Sequence, residues 1–193
     1  AESAFEWRDI EMPVAKEGQV LVQIEAFGLN FADVLARNGL YKEAPPLPCV
    51  LGYDMVGRVI ACGQNTDNSL LGKRVLALTR FGAYSTHIST PAVGCIVVPE
   101  EMPAGEACAL GTQFSTAYYS TNVIQNIQPG SHVLVHAASG GVGTALIQLL
   151  KLKNCIIYGT AGSDKKVEVL KNQGVIAYNY NTQDYKVEIE KHL

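Results

Sequence analysis

The sequence predicts an α/β chain in two parts, β-rich over residues 1–112 and built on a parallel sheet over residues 113–193. Three observations predict it. Short period-two patterns separated by turn residues fill the first part. Strand and helix patterns alternate in the second. Between them, near Thr112, the composition shifts from turn-rich to Ala-rich and helix-compatible.

The first strand is the clearest. Val20, Val22, Ile24 and Ala26 alternate with Leu21, Gln23, Glu25 and Phe27, the pattern of a strand with two unlike faces. Further strands are expected over Gly57–Ala61, Lys73–Leu78, Tyr84–Ser89 and Cys95–Val98, punctuated by Gly63-Gln64-Asn65, Gly72, Pro91 and Pro99. Many short strands with regular turns predict a small barrel or sandwich. One helix is expected over Phe31–Asn38, stopped by Gly39. The stretch with Pro45, Pro46 and Pro48 must be a loop, because proline removes the N–H a helix needs.

After Pro103 one or two helices are expected over Gly105–Val123. His132–His136 follows as a buried strand, Gly141–Leu152 as an apolar helix and Ile156–Thr160 as a second strand. Ser163–Asn172 is a second helix and Val175–Tyr178 a third strand. A β-α-β-α-β order with short links means a parallel sheet.

The turn Ala137-Ala138-Ser139-Gly140-Gly141-Val142-Gly143 lies between the first of these strands and its helix. Small residues allow a sharp bend and a close approach of backbone N–H groups to a pyrophosphate, and a helix N-terminus welcomes an anion. A glycine cluster alone is often only a tight turn; its place inside a β-α-β unit is what identifies a dinucleotide site. The Lys and Ser/Thr of a triphosphate loop are absent. Nineteen residues after Gly143, where a carboxylate would hold a ribose 2′-hydroxyl, stands Gly162, followed by Ser163, Lys165 and Lys166. A hydroxyl and an ammonium suit a 2′-phosphate, so NADP (NADPH) is expected, although Asp164 and an ordinary solvated helix face speak for the alternative.

Composition sets the outer bounds. Net charge is −3, with 8 basic and 13 acidic side chains to Thr112 and 7 and 5 beyond it, which argues against nucleic acid as a partner. No apolar run is long enough to span a bilayer, so no membrane partner is expected. Cys49, Cys62, Cys95, Cys108 and Cys155 form no paired framework and read as free thiols of a cytoplasmic protein.

The ordered motifs Gly28-Leu29-Asn30-Phe31-Ala32-Asp33, Gly39-Leu40-Tyr41, Leu51-Gly52-Tyr53-Asp54-Met55-Val56-Gly57, Thr116-Ala117-Tyr118-Tyr119 and Pro129-Gly130 leading to Gly143 resemble the medium-chain dehydrogenase/reductase superfamily. The resemblance is to its zinc-free quinone oxidoreductase, or zeta-crystallin-like, branch, and covers nearly the whole chain. It implies a GroES-like β-barrel catalytic domain over 1–112, its first strand missing, then the first half of a Rossmann NADP-binding domain over 113–193.

The activity implied is NADPH-dependent reduction of quinones or other α,β-unsaturated carbonyls by hydride transfer, in a homodimer when full length. Where the zinc branch places Cys and His ligands this chain has Asn30 and Tyr53, so no metal is expected. By motif position Asn30, Asp33, Tyr41 and Tyr53 are the catalytic candidates, Tyr41 the first choice of proton donor. Asn30 could equally cap a helix and Asp33 answer its dipole. For the cofactor the resemblance implies Thr116 at the nicotinamide end, Ser139, Gly140, Gly141, Val142 and Gly143 on the pyrophosphate, and Gly162, Ser163, Lys166 and Tyr180 around the 2′-phosphate.

A complete dinucleotide fold has six strands, whereas three are legible after Thr112. Weak binding and poor turnover by the isolated chain are therefore expected. Two rival readings stay open: an enoyl reductase module of a fatty acid or polyketide synthase, and a catalytically silent NADP-binding or scaffolding protein.

Overall fold

The computed structural model describes residues 5–193. The chain divides into two compact units, 1–112 and 113–193.

In the first unit β1 (Gln19–Phe27), β2 (Asp54–Cys62), β3 (Arg74–Leu78), β4 (His87–Pro91) and β5 (Cys95–Val97) form one antiparallel sheet in the order β4-β1-β2-β3-β5. Its pairing explains the period-two pattern, since successive side chains enter opposite faces. Val20, Val22, Met55, Val59, Val75 and Ala77 make one buried cluster. Val56 and Leu76 enter a second with Val98, Ala107 and Cys108, the last two from helix α2 (Ala104–Leu110). Arg74, 4% exposed, holds Glu25 with two nitrogens and donates to the carbonyls of Pro99 and Met102. It ties the segment after β5 to the sheet.

Helix α1 (Phe31–Arg37) leaves β1 through Gly28 and ends at Gly39, whose φ of +70° turns the chain back so that Leu40 N–H reaches the Leu35 carbonyl. The strand expected over Tyr84–Ser89 begins only at His87. Ser85 Oγ donates to the carbonyls of Gly82 and His87, a tight local turn that keeps residues 84–86 out of regular strand and frees Tyr84 to face inward.

In the second unit α3 (Thr112–Tyr118, starting one residue before the boundary) runs into a π-helical turn, Tyr119–Ile124. There follow β6 (His132–Val135), α4 (Gly141–Leu152), β7 (Ile156–Ala161), α5 (Asp164–Asn172), β8 (Ile176–Asn179) and α6 (Tyr185–Glu190). The three strands are parallel in the order β6-β7-β8. Val135, Ile147, Leu150, Ile157, Val167, Leu170 and Ala177 pack α4 and α5 on one sheet face.

The expected buried character of β6 is corrected. His132 is exposed and Leu134 is 39% exposed, because β6 is an outer strand of the three and only its other side chains meet α4. The helix α6 gives no helical stripe in sequence; Asp184 starts it by accepting from Lys186 N–H.

Candidate functional site: a polar cluster and a glycine turn

In the first unit all four catalytic candidates fall near one another, at the junction of β1, α1 and the segment leading into β2. Asp33, third residue of α1 and 4% exposed, accepts three hydrogen bonds. Its Oδ1 takes Gly52 N–H at 3.0 Å, and its Oδ2 takes Asn30 N–H at 3.0 Å and the Tyr84 hydroxyl at 2.9 Å. The carboxylate is committed to the fold: it anchors the start of α1, the Gly52 loop and Tyr84 together. Gly52, with φ of +101°, is required there, since a Cβ would lie 2.6 Å from the Tyr84 ring and 2.9 Å from Tyr84 N.

Asn30 stands at the N-cap of α1 with extended backbone, as a cap residue should. Its side-chain nitrogen donates to Asp54 Oδ1 at 3.2 Å. Asp54 also accepts Thr112 N–H on Oδ2 at 2.9 Å and is 1% exposed. Neither Asp54 nor Tyr84 stands out in sequence.

The two remaining candidates are aromatic neighbours. Tyr41 meets Tyr53 edge-on with ring centres 6.0 Å apart, and Tyr53 leans on Phe81 at 4.8 Å. The Tyr53 hydroxyl is buried and has no hydrogen-bond partner within bonding geometry among the described residues. Burial, then the adjacent Tyr41 hydroxyl, push its pKa well above the usual tyrosine value. The Tyr84 hydroxyl is raised too, by burial first and then by its bond to the Asp33 carboxylate. The two phenols differ in one respect: Tyr84 donates to a carboxylate at 2.9 Å, whereas Tyr53 has only the Tyr41 hydroxyl near it, outside bonding geometry.

In the second unit the expected cofactor residues, Thr116 in α3 apart, gather at the C-terminal ends of β6, β7 and β8, the edge where open parallel sheets receive ligands. Ala137 adopts φ of +48°, a left-handed conformation unusual for a residue with a Cβ, and the Gly140 N–H closes the turn onto its carbonyl at 2.8 Å. Gly143 is fixed by packing, since a Cβ there would sit 2.6 Å from Ala137 O and 2.7 Å from Ala138 Cα, both backbone atoms. At Gly141 it would meet the Gln113 side chain at 2.5 Å. Gly140, the N-cap of α4, offers no capping side chain. The first N–H groups of this 12-residue helix therefore receive no side-chain cap, and Gly140, Gly141 and Val142 are exposed around them.

At the end of β7, Ser163 caps α5 by accepting Lys166 N–H, which leaves its hydroxyl proton available. Tyr180 covers Gly162 so closely that a Cβ there would touch its hydroxyl at 2.5 Å, and Asn181 donates to the Gly162 carbonyl. Asp164, the carboxylate that could disfavour a 2′-phosphate, accepts from Asn179 Nδ2 at 2.7 Å. Lys165 and Lys166 are exposed, as is Thr116 in α3. Among the described residues no group of three His, Cys, Asp or Glu side chains could hold a metal, and no helix is long and apolar enough to cross a membrane.

Residues 16–110 match the alcohol dehydrogenase GroES-like domain family. Over 181 residues the chain is 42% identical to the human synaptic vesicle membrane protein VAT-1 homolog, covering 93% of this chain and 46% of that protein. Its fold is similar to CurK enoyl reductase, with a TM-score of 0.88 at 31% identity over 97% of this chain and 59% of the other. It is also similar to Escherichia coli quinone oxidoreductase complexed with NADPH, with a TM-score of 0.85 at 29% identity over 94% and 57%.

The chain belongs to the medium-chain dehydrogenase/reductase superfamily. Within this oxidoreductase superfamily it falls in the quinone oxidoreductase branch, and it spans about half the length of the curated relatives it matches. The antiparallel sheet is the GroES-like part of the superfamily fold, and the parallel sheet supplies its α/β character. The motif Leu51–Gly57 contains Asp54 but gives it no role, since its partners lie 24 and 58 positions away.

Proposed function

We propose that this protein reduces electron-poor double bonds, those of quinones or other α,β-unsaturated carbonyls, with NADPH and without a metal. The first unit is read as the catalytic domain and the second as the first half of the dinucleotide-binding domain. The single observation that carries the reading is the turn Ala137–Gly143. It combines a left-handed Ala137, a Gly143 that no other residue can replace without moving backbone, and a helix start with no side-chain cap. Such a turn suits a pyrophosphate, whose oxygens would accept the N–H groups at the start of α4. Ser163, with a free hydroxyl proton, the exposed Lys166 and the Tyr180 ring over Gly162 fit a 2′-phosphate, while Asp164 is occupied by Asn179. The relatives crystallised with NADPH from Escherichia coli and Thermus thermophilus support the same choice.

When bound, the cofactor supplies a hydride to the electron-poor carbon. The chain's own residues must then answer negative charge on the substrate oxygen and deliver a proton. Of the four candidates, Asp33 has its carboxylate fully engaged and holds the site rather than acting in it. Tyr53 has a buried donor with no acceptor, and a phenol with a raised pKa stays protonated at neutral pH. We assign the proton donor to Tyr53, steadied by Tyr41 and Phe81.

A second reading, reduction of an enoyl thioester, is favoured by the likeness to CurK and JamJ enoyl reductases. Titration of the chain with NADPH and NADH, followed by turnover of a quinone, an enone and an enoyl thioester, tests both. NADPH binding tighter than NADH binding, with slow reduction of the quinone or enone, is expected. Preference for NADH, or tight NADPH binding with no reduction of any of the three, would overturn the proposal; preference for the thioester would select the second reading.

A further inference from the structure

Asp54 is a buried carboxylate that no catalytic step above uses. It is 1% exposed, and among the described residues no Lys, Arg or His pairs with it. An unpaired buried charge is costly unless hydrogen bonds replace its water. Asp54 receives them from Asn30 Nδ2 and Thr112 N–H.

The backbone is shaped around this carboxylate. A Cβ on Gly28 would overlap Oδ1, and one on Gly111 would press within 3.1 Å of Asp54 Cβ and Oδ2. Two glycines, one in the link from β1 to α1 and one between α2 and α3, thus make room for one side chain. An apolar residue of similar size at position 54 would fill that space without charge, so volume alone does not explain an Asp.

A carboxylate has a further property: it accepts hydrogen bonds and cannot donate them. An amide facing it must present its nitrogen, so Asp54 joins the capping box at the start of α1 in setting which end of the Asn30 side chain points where. With one N–H on Asp54, Asn30 Nδ2 keeps a second N–H. The Thr112 bond, at the first residue of α3, holds the carboxylate itself in place.

We propose that Asp54 is a positioning residue that locks the Asn30 amide nitrogen-first, so that Asn30 meets substrate or cofactor oxygen as a hydrogen-bond donor. This rests on the enone-reductase reading above and adds the orientation of one of its groups. Asp54 does not touch the reacting atoms; it acts through Asn30.

The test compares Asp54→Asn, Asn30→Ala and the double variant of the full chain. An Asn at 54 keeps the shape, but its oxygen must still accept Thr112 N–H, so its nitrogen faces Asn30 and turns the Asn30 amide oxygen-first. Asp54→Asn is expected to lower kcat for enone reduction roughly tenfold to a hundredfold, with KM for the enone little changed. In the Asn30→Ala background the same change should have no further effect. Full kcat in Asp54→Asn, or losses that multiply in the double variant, would overturn the proposal.

A second readout needs no turnover: the two side-chain N–H resonances of Asn30 in a nitrogen-15 spectrum. They should be widely separated in the parent and converge in Asp54→Asn, and also in Gly28→Ala should Asp54→Asn fail to fold. Unchanged resonances would overturn the proposal. If the parent reduces no enone at all, the functional reading fails, and convergence or constancy of these resonances still decides for or against the role of Asp54.

Discussion

The two units prepare for a ligand in opposite ways. In the first, side chains from distant positions satisfy one another: Asp33 with Gly52, Asn30 and Tyr84, and Asp54 with Asn30 and Thr112. Among the described residues of this unit one buried side-chain donor, the Tyr53 hydroxyl, is left without a bond. In the second, backbone does the work, and the start of α4 keeps its N–H groups uncapped by any side chain. Specific chemistry needs a few groups placed by a network. A phosphate needs only a helix start whose N–H groups carry no side-chain cap.

The largest effect should come from breaking the second arrangement. Gly143→Ala puts a methyl against two backbone atoms that cannot swing away, at 2.6 and 2.7 Å. We expect a loss of about 3 kcal/mol in denaturant unfolding and no measurable NADPH binding by fluorescence. An unchanged midpoint would mean that the turn is looser than described.

In the first unit Asp33→Asn replaces an acceptor of three hydrogen bonds by a group that must turn a donor toward one of them. A destabilisation of about 2 kcal/mol, read by thermal or urea unfolding, is expected. The contrast between phenols is sharper still. Tyr84→Phe should destabilise by about 1 kcal/mol, because the Asp33 carboxylate loses a donor, whereas Tyr53→Phe should be neutral or slightly stabilising, because it removes an orphan. For enone turnover the order reverses: Tyr53→Phe should lower kcat roughly a hundredfold. Equal behaviour of the two variants would erase the distinction between committed and free groups.

Their raised pKa values carry a sign. A tyrosine whose folded pKa lies above its unfolded value binds a proton more tightly when folded, so its stabilising contribution is present below the unfolded value of about 10 and is lost as pH rises further. Above about pH 10 the parent should lose stability more steeply than the Tyr53→Phe variant. At Lys166 the effect is on the cofactor alone: its exposed ammonium affects no packing, and Lys166→Ala should weaken NADPH about tenfold and leave NADH unaffected.

Which parts of this were legible in sequence follows from the range of the interactions. The helix Gly141–Leu152 matches its expected bounds because the glycine turn and an apolar stripe mark it locally. The strands β1, β3 and β5 fall within about a residue of their expected bounds, β2 starts at Asp54 rather than Gly57, and Ser163, expected as the first residue of its helix, is the cap of a helix that starts at Asp164. Tyr84–Ser89 misled because its β-type composition hides a turn held by Ser85. His132–His136 misled because an apolar run does not reveal that its strand lies at the outside of the sheet. Tyr53 and Tyr84 look alike in sequence, and only the partner 51 positions upstream of Tyr84 separates them. Asp54 was illegible for the same reason.

The most direct test follows backbone amide resonances while NADPH is added to the chain. The central claim predicts that the largest shifts fall on Gly140, Gly141, Val142, Gly143 and Thr144, with smaller ones at Ser163 and Lys166. If those resonances stay in place while others move, the pyrophosphate does not rest on the start of α4.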